Sequence, residues 1–127
     1  MARKTRCPVV FCNQTGGNDE LVFDGCSLVF NSAGDLIAQG KCFDEDLVIV
    51  DTSSAAVIAP TFLADEDLVY RALVLGLRDY LYKCGFTSAV PGLSGGLHSA
   101  LLAGPALAPP GSGTVPAVSR PSPSAAP

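Results

Sequence analysis

Tryptophan is absent from the 127 residues, methionine and histidine occur once each, and only eight lysines and arginines stand among twelve acids. The shortage of basic residues, with a formal charge of -4, argues against a nucleic-acid binder, because neutralising phosphates requires clustered Lys and Arg. A zinc site is also unsupported: the five cysteines, Cys7, Cys12, Cys26, Cys42 and Cys84, contain no C-x-x-C pair, and His98 is the sole histidine. Ordinary reduced thiols in strands and helix ends are expected, not a disulfide framework. The basic opening, Arg3, Lys4 and Arg6, is followed by a short apolar run ending at Asn13. Neither a signal-peptide core nor a membrane span is expected, and a cytoplasmic location is the default.

Charge and proline are unevenly distributed. From Gly104 to Pro127 lie seven of the ten prolines and a single charge, Arg120. This stretch has little with which to form a core and is expected to be a disordered tail. The foldable part runs from about residue 8 to 103, enough for one core.

Within that part, "PVVFCN" reads as a buried strand emptying into a polar loop, "QTGGNDE". The runs 27–31 and 35–39, joined by "SAG" with Gly34 free to take a positive φ, read as a hairpin. "EDLVIVD", residues 45–51, has the pattern of a further buried strand. Small, hydroxyl-bearing residues with Pro60 then mark a linker over 52–64. Val69, Ala72, Leu73, Leu77, Tyr80 and Leu81 recur at helical spacing, with Asp65 as N-cap and Gly85 as C-terminal glycine. Thr87–Leu93 would be a strand, and "HSALLA" the opening of a second helix that Gly104 and Pro105 end.

Helix, strand, glycine loop, helix opens a mononucleotide-binding α/β unit. No further strand pattern follows, so a parallel sheet is not expected from this chain. The loop Gly92, Leu93, Ser94, Gly95, Gly96, Leu97, His98 and Ser99 offers consecutive amides and two hydroxyls, a nest suited to the phosphates of ATP. It lacks the lysine of a G-x-x-x-x-G-K-[ST] loop, and a plain turn is the competing reading. Asp44, Glu45 and Asp46 read as a solvated turn. Asp19, Glu20 and Asp24 lie in a glycine-bounded run where a site-shaping role competes with a turn. No cysteine has a neighbouring base to make it a nucleophile.

"NQTGGNDELVFDGCSLVFNSAGDLIAQGKCFDEDLVIVD" and "YRALVLGLRDYLYKCGFTSAVPGLSGGLHSAL" together resemble the glutamine-dependent NAD synthetases across the junction of that family's two domains. The resemblance covers nearly all of residues 3–102 and ends at about Leu102. It implies an α/β protein: the C-terminal strands of a nitrilase-like α/β/β/α sandwich over 1–51, the linker 52–64, and then, over 65–103, the first helix–strand–loop–helix of a Rossmann-like ATP pyrophosphatase domain. The tail, 104–127, falls outside the match. In the family, an amidase domain with a Glu-Lys-Cys triad hydrolyses glutamine, and a ligase domain converts deamido-NAD to NAD with ATP and Mg²⁺. The triad lies upstream of the matched segment, so no catalytic residue is assigned here, nor any metal ligand, and no activity is expected of the chain alone.

The family's Ser-Gly-Gly-x-Asp-Ser pattern maps onto Ser94 to Ser99, with His98 where the Mg²⁺-binding Asp is expected; a neutral imidazole suits a hard, oxygen-preferring cation poorly. Pro91 is a second departure, since it removes an N–H from an expected central strand. The tail's composition is compatible with a shifted reading frame, and Met1 with an internal start. Two alternatives stand beside the fragment reading: a non-catalytic module that pairs with amidase or synthetase subunits, or with itself, through open sheet edges, and a small ATP-binding protein.

Overall fold

The computed structural model describes residues 1–93, Gly96 and residues 118–119. The chain divides into two compact units, Met1–Gly16 with Val22–Leu68, and Gly17–Leu21 with Val69–Pro127.

In the first unit a single helical turn, α1 (Ala2–Thr5), precedes β1 (Val9–Phe11). A hairpin of β2 (Thr15–Asn18) and β3 (Leu21–Asp24) follows, of which Gly17–Leu21 belong to the second unit, then β4 (Leu28–Phe30) and β5 (Leu36–Gln39). β4 is the centre of an antiparallel sheet of order β1-β4-β5. The β4–β5 hairpin forms as the residue pattern predicts: Gly34 takes φ 82°, its N–H donates to the Asn31 carbonyl at 2.9 Å, and the Asn31 N–H donates to the Asp35 carbonyl at 3.0 Å. Arg3 braces the turn by donating from Nε to the Ala33 carbonyl at 2.7 Å.

The register slips between Val29 and Phe30: Val29 pairs with Ala38 and Phe30 with Leu36, leaving Ile37 as an extra residue on β5. Such a bulge breaks the strict alternation of faces. As a result Leu36, Ile37 and Ala38 are all buried, and Ile37 and Ala38 pack with Val29 against Val50 as the small core of this unit.

Three expectations for this part are corrected. The stretch read as a polar loop forms β2, glycines included, because pairing with the more apolar β3 supplies its partner. Residues 45–51 form no strand, and Leu47 and Ile49 are 86% and 90% exposed. The local reason is the preceding acidic turn: Asp46 accepts from the Lys41 amide through Oδ2 and from the Leu47 amide through Oδ1, both at 3.0 Å, which holds the backbone in a side-chain-capped bend. Third, the cysteines are not all free thiols. Cys26 and Cys42 form a disulfide; Gly25 bridges Cys42 across antiparallel backbone, and the Cys26 amide donates to the Lys41 carbonyl at 3.0 Å. Residues 16 apart in sequence thereby face each other, a pairing that spacing alone does not announce. Cys7, Cys12 and Cys84 are free and exposed.

Residues 52–64 are irregular and are pinned to β5. Gln39 donates from Nε2 to the Thr61 carbonyl and accepts the Thr61 amide, both at 2.8 Å, and the Ile58 amide donates to the Leu36 carbonyl at 2.9 Å.

The helix α2 spans Asp65–Lys83. Asp65 is its first helical residue rather than its cap, and three acids fill the first turn with Lys83 in the last, the charge order that a helix dipole favours. Gly85, at φ 72°, closes it: the Gly85 amide donates to the Tyr82 carbonyl at 3.1 Å and the Phe86 amide to the Leu81 carbonyl at 2.8 Å. This is a Schellman ending, and the Phe86 ring lies 6.3 Å from that of Tyr80. The buried stripe differs from the expected one. Leu75 is 2% exposed, whereas Val69, Leu73 and Tyr80 face solvent. Apolar residues occur nearly all round α2, so periodicity could not choose between faces; burial follows Leu75 and Gly76, where residue 17 approaches within the second unit.

Candidate nucleotide-binding loop

The last elements are β6 (Gly92–Leu93) and β7 (Val118–Ser119), which pair in parallel, Gly92 with Val118 and Leu93 with Ser119. The expected strand over residues 87–93 is therefore reduced to its final two residues. A second strand lies in the stretch read as a featureless tail, so the expectation that no parallel pairing could form is overturned. Pro91 does not block the ladder, because it stands just before β6 and contributes its carbonyl, which accepts from the Val118 amide at 3.1 Å. A missing N–H is tolerated at a strand's entry.

The loop leaves the carboxyl end of β6. In open parallel α/β sheets that end is where ligands bind, because the loops there converge on the dipoles of following helices. Of the eight loop residues proposed from the sequence, Gly92, Leu93 and Gly96 are described. Gly92 and Gly96 are exposed, and a methyl group on Gly92 would meet no atom within 4 Å, so Gly92 leaves one wall open. Ser94, Gly95, Leu97, His98 and Ser99, and the helix expected to start there, lie outside the described residues. Most of the tail does as well.

The acidic groups are not gathered into one site. Asp19 and Glu20 are exposed at the β2–β3 turn. Asp24 accepts a hydrogen bond from Asn13 Nδ2 at 2.7 Å, and the Asn13 amide donates to Ser27 Oγ at 3.0 Å. This small polar joint at the base of the hairpin went unnoticed in the sequence, where Asn13 reads only as a strand end. Asp44, Glu45 and Asp46 are exposed and line a cleft of about 500 Å³ with Cys12 and Lys41. A second, more apolar cavity of about 480 Å³ lies among Leu28, Phe30, Leu36, Phe62 and Leu68. No group of three or more metal-ligating side chains occurs among the described residues, and no helix among them is long and apolar enough to cross a membrane.

A family profile described as NAD synthase matches residues 69–126. The glutamine-dependent NAD(+) synthetase of Synechocystis is 41% identical over 128 residues, which covers 96% of this chain and 23% of that protein. The enzyme of the same name from Rhodobacter capsulatus is also 41% identical over 128 residues, covering 94% and 23%. Among solved structures, glutamine-dependent NAD+ synthetase from Acinetobacter baumannii in complex with adenosine diphosphate is similar with a TM-score of 0.83 and 36% identity, covering 94% of this chain and 24% of that one. The chain thus spans about a quarter of the length of the relatives it matches. The profile match runs to residue 126, well past Leu102, where the resemblance legible in the residues ends; the proline- and alanine-rich composition masks the rest.

Proposed function

We propose, starting from this chain's membership of the glutamine-dependent NAD synthetase family, that it supplies part of the ATP site for the amidation of deamido-NAD to NAD. Residues 92–99 would hold the pyrophosphate. The observation that carries this reading is the parallel β6–β7 pair, which sends the Ser-Gly-Gly loop out of the carboxyl end of a strand. The ADP complex of the similar Acinetobacter protein supports it.

The donor set fits one part of the ligand and not another. Backbone amides from Gly95 to Ser99, with the hydroxyls of Ser94 and Ser99, suit phosphate oxygens. ATP, when bound, activates the carboxylate that is to become the amide. His98 does not fit Mg²⁺, which prefers oxygen ligands, so no step is assigned to a metal. The role of this chain is to bind and orient the phosphates with neutral donors.

On this reading 1–51 corresponds to closing strands of a nitrilase-like sandwich, 52–64 to the connection and 65–103 to the opening of a Rossmann-like domain. The antiparallel β1-β4-β5 sheet, the irregular segment pinned to β5, and α2 followed by a parallel pair all support that division. The family's glutamine-hydrolysing triad has no counterpart in the chain, so ammonia release and ligation are expected to need further polypeptide. Titration with ATP, followed through the amide resonances of Gly92 and Gly96, tests the assignment. Both should shift as ATP is added, and unmoved resonances at millimolar ATP would refute a phosphate site in this loop.

One observation favours a second reading, a module that pairs with amidase or synthetase subunits. β1 is an edge strand of its sheet, and its Val10 and Phe11 are more than half exposed, an arrangement open to strand addition. Size exclusion with a co-expressed full-length synthetase should then show co-elution. Separate peaks would remove this reading and leave the first intact.

A further inference from the structure

Within the second unit, α2 grips one residue of β2 from both sides. The Gly17 amide donates to Asp79 Oδ2 at 2.8 Å, and the Gly17 carbonyl accepts from Lys83 Nζ at 2.5 Å. Asp79 and Lys83 are four apart, so they stand one above the other on the helix, acid toward the N-terminal side. Their spacing matches the two polar groups of a single peptide residue. Lys83 also reaches Asn18 Oδ1 at 3.4 Å. Asp79 is steadied in turn by Arg78, whose Nε lies 3.1 Å from Oδ1, and its side chain is only 19% exposed.

The grip requires glycine at its centre. Gly17 is buried, and a Cβ built on it would stand 3.0 Å from Gly76 Cα and 3.4 Å from the Gly76 carbonyl oxygen. That is tighter than most methyl groups pack against backbone, so the neighbouring helix would have to give way by a few tenths of an ångström. A glycine of β2 thus rests on a glycine of the helix, and the close approach brings both charged side chains within hydrogen-bonding distance.

We propose that Asp79 and Lys83 form a latch that makes the segment Gly17–Leu21 and α2 move as one body. The latch is a conformational coupling device within the second unit: a displacement of α2 would be passed to Gly17–Leu21 through the backbone of Gly17. Gly17 is buried and Asp79 half-buried, and one partner of each bond is charged, which makes the bonds stronger than neutral surface contacts. The proposal is independent of nucleotide binding.

Native-state amide exchange on the full chain, without ligand, tests it through the Gly17 N–H. Asp79→Ala removes the acceptor, and exchange of that amide should accelerate at least about tenfold, the equivalent of one charged hydrogen bond. Lys83→Met and Gly17→Ala should accelerate it too, the latter with both charged residues intact. Asp79→Asn, which keeps an oxygen acceptor, and Lys83→Arg, which keeps a cationic donor, should restore much of the protection. Amides of β4 and β5 serve as the reference and should be unchanged. Wild-type exchange at Gly17 in Asp79→Ala and Lys83→Met, or equal acceleration at Gly17 and in β4 and β5, would overturn the latch.

Discussion

Replacing Cys42 with serine opens the bond to Cys26 and tests how much of the first unit's stability is covalent. Cross-linking residues 16 apart removes loop-closure entropy from the unfolded chain equivalent to about 3 kcal/mol at 25 °C. Folded-state losses should add little to this, because the surrounding hydrogen bonds are backbone to backbone and survive the substitution: Gly40 amide to Ser27 carbonyl and Phe43 amide to Asp24 carbonyl, both at 2.7 Å, and Cys26 amide to Lys41 carbonyl. Small domains have roughly 5–15 kcal/mol in total, and the core here is Val29, Ile37 and Ala38 with Val50, so the change is a large share. In urea, at a slope of about 1–3 kcal/mol per molar, the midpoint of Cys42→Ser should fall by about 1–3 M relative to the oxidised protein. Reduced wild-type protein should superimpose on the variant. Alkylation of the native protein without reductant should modify Cys7, Cys12 and Cys84 alone. Superimposable curves for oxidised and variant protein, or alkylation of all five cysteines, would refute the reasoning.

Leu75→Ala should cost about 2–5 kcal/mol by thermal or chemical unfolding, since the side chain is 2% exposed and its removal leaves a cavity. Val69→Ala, at 60% exposure, should stay within about 0.5 kcal/mol; reversed magnitudes would return the buried face to Val69, Leu73 and Tyr80. The Asp51 carboxyl, which accepts from the Ser53 hydroxyl at 2.7 Å and the Ser53 amide at 2.9 Å, is held below its ordinary value of 3.8 by those two bonds. A depressed acid stabilises its turn above the unfolded value and loses that contribution as pH falls through the folded one. The Asp51 side-chain resonance should titrate with a midpoint under 3.8 in wild type and move upward in Ser53→Ala; an unchanged midpoint would exclude the hydroxyl as the cause.

Where a local rule decides structure, the residues announce it. Gly34 and Gly85 both take the positive φ that their turns require, and α2 runs between Asp65 and Lys83 as the helical spacing and the closing Gly85 suggest. Where the decision is tertiary, pattern reasoning loses its hold. β2 carries Gly16, Gly17 and Asn18, poor strand formers on their own, and depends on its partner β3. Residues 45–51 have strand composition but no described neighbour to complete a ladder. The face of α2 is chosen by a glycine contact 59 positions away in sequence, and the Cys26–Cys42 pair by the antiparallel bridge at Gly25. β7 consists of Val118 and Ser119, within proline-rich surroundings that hide any period. Of the candidate loop, the glycines and serines are visible as a motif, while the described residues reach Gly92, Leu93 and Gly96.

The loop's capacity for phosphate is the claim on which the functional account stands. Isothermal titration of the chain with ATP, with and without Mg²⁺, in wild type and in His98→Asp, tests it most directly. The account predicts heat of binding to wild type that Mg²⁺ does not enhance, and tighter, Mg²⁺-dependent binding once His98→Asp restores an oxygen ligand. Absence of heat from both proteins under both conditions would contradict it.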